Sequence, residues 1–125
     1  MKPSTPHATD DCRRISDLLG LIGDKWSVLV LGQLSHGTVR FNELQRRIGG
    51  ISQKMLSSTL RALERDGIVT RTVFPTVPPR VDYNLTDLGR DLLRPVKGLE
   101  DWARANREAV EAARSRFDGR GSQAA

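Results

Sequence analysis

Gln53, Lys54, Ser57, Ser58 and Arg61 are spaced so that a helix would gather them along one side. These residue types hydrogen-bond base edges and hold phosphates, and no carboxylate interrupts them before Glu64. Met55, Leu56, Thr59, Leu60 and Leu63 fall on the opposite face and are expected to pack on a core. The segment predicts recognition of a polyanion, not bond-making. Ser52 stands where it can cap the helix, and Gly67 after Asp66 suits a left-handed stop.

Further basic residues surround this segment. Arg40 precedes a short helical stretch and is a candidate phosphate clamp. Arg80 closes the loop Pro75-Thr76-Val77-Pro78-Pro79-Arg80, where a tip residue would reach a minor groove or a phosphate. Arg71 and Thr76 are weaker candidates, and an ordinary surface arginine is an equal rival at each of these positions. The net charge of +5 sharpens the choice. From Thr38 to Arg80 there are eight basic residues against three acidic ones; outside that window 12 basic residues face 12 acidic ones. The whole excess therefore lies around the polar helix, as a polyanion-binding footprint would require.

Cys12 is the one chemically reactive candidate. Arg13, Arg14 and a helix N-terminus favour its thiolate, while Asp10 and Asp11 oppose it. An oxidant or electrophile sensor is one reading, and a thiol with no role is the other. A single cysteine excludes a disulfide within the chain. His7 and His36 stand far apart without a carboxylate cluster, so neither a metal nor a cofactor is expected. Trp26 and Trp102 read as core or interface residues. Gly20-Leu21-Ile22-Gly23 reads as a helix end rather than a phosphate loop. No serine, histidine and acid constellation is present, so no enzyme is expected.

The 125 residues suffice for one domain, and 38% hydrophobic with 28% charged residues reads as globular. No apolar run approaches ~18 residues, so no membrane span is expected. The start, Met1 to His7, lacks the apolar stretch of a signal peptide. Together with the lone cysteine this predicts a cytoplasmic location.

The patterns predict a flexible tail over 1–11, a domain over 12–116 and a flexible tail over 117–125. Ile15, Leu18, Leu19 and Ile22 predict a first helix ending at Gly23, and Asp24 caps a second, central one through Leu34. Thr38 to Arg40 is a short strand, and Phe41 to Ile48 a two-turn helix with Phe41, Leu44 and Ile48 on one side. Gly49-Gly50 turns the chain into the polar helix. Ile68–Phe74 and Val81–Leu85 predict a hairpin; Val81, Tyr83 and Leu85 share its buried face, while the faces of the first strand are not assignable. Thr86 caps a long helix that Pro95 should kink or divide. It is expected to carry the pairs Glu100–Arg104, Arg104–Glu108 and Arg107–Glu111 and to fray after about Arg116. The order of elements is a winged helix-turn-helix, mainly α with a small β-hairpin, in an α+β class.

Several segments together resemble the HxlR-type regulators, a MarR-like branch of the bacterial winged helix-turn-helix proteins. They are Cys12, Leu21-Ile22-Gly23-Asp24-Lys25-Trp26, Arg40-Phe41-Asn42-Glu43-Leu44 and Gly50-Ile51-Ser52-Gln53-Lys54-Met55-Leu56. Further on come Leu60 to Gly67, Val77-Pro78-Pro79-Arg80-Val81-Asp82-Tyr83 and Leu85-Thr86-Asp87-Leu88-Gly89. The resemblance covers about residues 12–105. It implies a homodimer built from the N- and C-terminal helices, binding a pseudo-palindromic double-stranded DNA operator with half-sites roughly 10 base pairs apart. Some members sense oxidants, aldehydes or quinones through a cysteine at the position of Cys12. With no second cysteine, a disulfide here would join two subunits or a small thiol.

The expected function is a dimeric, sequence-specific transcriptional regulator, more often a repressor than an activator, with an oxidant or small molecule as candidate effector. The expected DNA-binding residues are Arg40, Ser52, Gln53, Lys54, Ser57, Ser58, Arg61, Arg71 and Arg80. The rival from another class is a winged-helix protein-interaction module working through the long C-terminal helix.

Overall fold

Local signals in the chain set where each element starts and stops. The computed structural model describes residues 9–124, with side chains described through Arg120. Residues 1–8 of the expected N-terminal tail lie outside the described residues. Helix α1 spans Asp10–Gly23 and begins on Thr9, whose hydroxyl oxygen accepts from the Cys12 N–H. It starts two residues earlier than the expected domain boundary at residue 12. Asp24 ends α1 and caps α2 (Lys25–Leu34), accepting from the N–H groups of Trp26 and Ser27.

Strand β1 (Val39–Arg40) leads into α3 (Phe41–Ile48), and α4 (Gln53–Arg65) follows the glycine turn. The wing is the hairpin of β2 (Val69–Phe74) and β3 (Arg80–Leu85). The three strands form an antiparallel sheet in the order β1-β3-β2. Val39 pairs with Tyr83 and Arg40 with Asp82 on one side of β3, while Val69 pairs with Leu85 and Phe74 with Arg80 on the other.

The core under the helix-turn-helix contains Val30, Leu31 and Leu34 of α2, Leu44 of α3 and Leu56, Leu60 and Leu63 of α4, each buried to within 1% exposure. Each such side chain contributes about 1.5–3 kcal/mol by leaving water. Tyr83 and Leu85 close the sheet side as the alternation on β3 predicts, whereas Val81, expected on the same buried face, is only half-buried near the wing tip. On β2 only Val69 is buried and Thr70 to Val73 are exposed, which explains why its sequence showed no alternation. Met55 departs from the expected apolar face: it is 45% exposed, because the buried arc of α4 is narrow and centred on Leu56, Thr59, Leu60 and Leu63.

Helix α5 (Asp87–Ala105) starts at a tight joint with the wing. The Thr86 hydroxyl lies 2.5 Å from the Gly67 carbonyl and accepts from the Gly89 N–H. A Cβ on Gly89 would sit 2.2 Å from the Ile68 carbonyl oxygen, so only glycine fits. The chain falls into two compact units divided between Leu93 and Arg94.

In the second unit the helix continues through Pro95 and divides instead at Asn106, before α6 (Arg107–Ala124). A proline removes one helical hydrogen bond, and here that does not end the helix. The Trp102 carbonyl accepts there from both the Asn106 side chain, at 2.9 Å, and the Asn106 N–H, at 3.0 Å. Of the three expected pairs only Arg107–Glu111 forms (3.2 Å); Arg104 turns to Asp101, because the break places Glu108 on the next helix. Helix α6 also continues past the expected end near Arg116, since a helix already formed extends over Gly119 and Gly121 at ~1 kcal/mol each.

Candidate nucleic-acid interface

The start of helix α4 is set by three local devices. Gly49 and Gly50, at φ 68° and 70°, take the left-handed conformation that the turn between α3 and α4 requires. Gln45 Nε2 donates to the Ile51 carbonyl at 3.2 Å and ties the turn to α3. Ser52 caps α4, its Oγ accepting from the Met55 N–H at 3.0 Å. Its hydroxyl oxygen is thereby engaged, leaving the hydroxyl proton to donate outward. Gly67, at φ 76°, follows the last turn as the expected stop.

With the helix fixed, Gln53, Lys54, Ser58 and Arg61 are exposed and Ser57 is half-buried. An open groove of about 1400 Å³ runs between α4, the start of α3 and the wing. Six of the nine expected DNA-binding residues line it: Arg40, Gln53, Ser57, Arg61, Arg71 and Arg80. Lys54 and Ser58 lie on α4 outside the groove, and Ser52 sits at its cap. Asn42, Arg46 and Arg47 of α3 line the groove as well, although they were not among the expected site residues. The basic window from Thr38 to Arg80 contained both arginines, but only the turn geometry aims them at this side. Six arginines thus face the groove against two carboxylates, Glu43 and Glu64.

These arginines differ in their partners. Arg46 and Arg47 both pair with Glu43, the second at 2.9 Å. Arg40, Lys54, Arg61 and Arg71 make no ion pair among the described residues.

Arg80 is not at the wing tip. It opens β3 opposite Phe74, stacks over the Phe74 ring at 4.2 Å and donates from an Nη nitrogen to Asp82 at 3.2 Å. The tip is Pro75 to Pro79: the Thr76 hydroxyl donates to the Pro78 carbonyl at 2.7 Å, and Val77 is fully exposed.

Cys12 lies in the first turn of α1, half-buried, with Asp10 and Asp11 beside it. Arg13, expected to favour the thiolate, has Asp10 3.7 Å from its guanidinium. Among the described residues no cluster of histidine, cysteine and carboxylates could hold a metal ion, and no helix is long and apolar enough to cross a membrane.

Comparison with known proteins agrees with this geometry. The family model for the HxlR-like helix-turn-helix matches residues 21–111. The HTH-type transcriptional regulator YtfH of Escherichia coli is 45% identical over 98 residues, 78% of each chain. The structure of the transcriptional regulator ytfH from Salmonella typhimurium superposes with a TM-score of 0.74 at 42% identity, covering 81% of this chain and 90% of that one. The redox regulator HypR in its reduced form gives 0.72 at 40% identity, covering 79% and 98%. These relatives are regulators of transcription, not enzymes. With a helix-turn-helix, a wing and a family match across most of its length, the chain belongs to the HxlR-like helix-turn-helix family of transcriptional regulators.

Proposed function

We propose that this protein is a cytoplasmic, homodimeric repressor that binds a pseudo-palindromic operator through α4. The observation that carries the reading is the groove between α4 and the wing, where Gln53, Ser57 and Arg61 share a surface with Arg40 and Arg71. The N-terminal turn of α4 enters the major groove, which admits one helix. Gln53, Lys54 and Ser57 face bases, while Ser52, Ser58, Arg61 and Arg71 hold phosphates.

Dimerisation is supported by apolar side chains left uncovered in a single chain. No residue of α1 is buried, and Ile15, Leu18 and Leu19 are 41–61% exposed. In the second unit Leu99, Trp102 and Phe117 are 61–73% exposed. Two-fold symmetry then sets half-sites roughly 10 base pairs apart.

The test is binding to duplex DNA from upstream of the protein's own gene, measured across a salt series. Replacing Lys54 by alanine weakens operator binding by about 1–3 kcal/mol, as for a base contact, and replacing Arg61 weakens binding across sequences and lowers the salt slope by about one, as for a phosphate contact. Unchanged affinity in both variants removes α4 from the interface. A flat salt response with no duplex binding instead supports a protein-interaction module.

Cys12 supplies a redox input in this proposal, supported by the likeness to HypR. Diamide changes operator affinity in the wild type and leaves Cys12→Ser unaffected; an equal response in both excludes the thiol as sensor.

A further inference from the structure

The turn that leads into α4 is held by a side chain that takes no place in the groove. Gly49 and Gly50 make that turn, and a Cβ on either would meet nothing within 4 Å, so packing does not fix it. Glycine also leaves the backbone more conformations than any other residue. Two hydrogen bonds made by Gln45 span the turn instead. Its carbonyl accepts from the Gly49 N–H at 3.1 Å, and its Nε2 donates to the Ile51 carbonyl at 3.2 Å. Among the described residues no other side-chain hydrogen bond crosses from α3 to residues 51–65. Ile51 is 6% exposed and is followed directly by the Ser52 cap and by Gln53, the first residue of α4.

Groups that read a partner must stay within about 0.5 Å of their productive geometry. A turn of two loosely packed glycines does not supply that precision alone. We infer that Gln45 is a positioning residue for sequence reading: its amide holds Ile51, and through it Gln53 and Lys54, at the angle at which they meet base edges. Gln45 is half-buried and does not line the groove. It therefore acts through the residues that follow the turn and touches no base itself. This inference rests on the proposed reading of bases by α4.

The experiment uses the full chain and Gln45→Met, which keeps the length of the side chain and removes the donor. Binding is measured to the duplex that the wild type enriches from a random-sequence library, to each of its single-base-pair variants and to an unrelated duplex. Discrimination between the enriched duplex and its variants falls about tenfold in Gln45→Met, the size of one lost base contact. The loss falls at the same base pairs that Gln53→Ala or Lys54→Ala flattens. Affinity for the unrelated duplex changes by less than about twofold and its salt slope stays the same, because the arginines of the groove are untouched. Gln45→Glu, which also lacks the donor, gives the same loss of discrimination if Gln45→Met does not fold. A variant folded by circular dichroism with the wild-type profile overturns the inference, as does an equal loss on every duplex, the mark of a purely structural bond. If Gln53→Ala, Lys54→Ala and Ser57→Ala all leave the profile unchanged, a different claim fails: α4 does not read bases, and the inference falls with it.

Discussion

The cations of α4 and the arginine that opens β3 in the wing hold their positive charge differently. On α4, Lys54, Arg61 and Arg65 make no ion pair among the described residues, and the helix carrying them rests on three fully buried leucines. In the wing, Arg80 is held by Asp82 and by the Phe74 ring, and on α3 Glu43 takes both Arg46 and Arg47. A phosphate that meets an unpaired cation displaces only counterions. One that meets Arg80 must also compete with a carboxylate whose side chain is 13% exposed. The difference teaches that a count of basic residues overstates the interface. Under the proposed function, the unpaired cations are expected to contribute more to binding than the paired ones.

The comparison breaks most severely if the platform under α4 fails. Leu60→Ala, at 1% exposure, should cost about 2–5 kcal/mol of stability in urea unfolding. The same truncation of half-buried Val81 in the wing should cost less. Next in size is the contrast between cations. Arg61→Ala should weaken operator binding and reduce the salt slope by about one, whereas Arg80→Ala should do less on both measures. Equal effects would erase the distinction drawn from the ion pairs.

Removing the cap with Ser52→Ala should cost about 1 kcal/mol in thermal or urea unfolding, since the Met55 N–H loses its partner. The smallest effect tests the clamp itself. Asp82→Asn should release Arg80, tighten operator binding by less than about 1 kcal/mol and steepen the salt dependence. Weaker binding would show that Asp82 helps by holding Arg80 in place.

Much of the fold is legible along the chain because helix ends obey local rules. Asp24 and Ser52 cap the helices expected of them, Thr86 closes the joint into α5, and Gly23, Gly49-Gly50 and Gly67 stop or turn the chain where sequence patterning puts them. The site is legible in part for a related reason. Gln53, Ser57 and Arg61 fall on one side of α4 by helical spacing alone, and the charge excess marks the same window. The pair expected between Arg104 and Glu108 fails because it depends on whether one helix continues, and the helix divides at Asn106.

By itself, then, the sequence determined the order and limits of the elements up to α5, the polar face of α4 and where the charge gathers. Each of these follows from contacts within a few residues. Only the tertiary structure decided that Met55 is exposed, that Arg80 is clamped at the start of β3, beside the wing tip, and that Arg46 and Arg47 face the groove. It also decided that β1 joins β3, setting Arg40 opposite Asp82. Those outcomes depend on which neighbour covers each flank, and that neighbour arrives from a distant part of the chain.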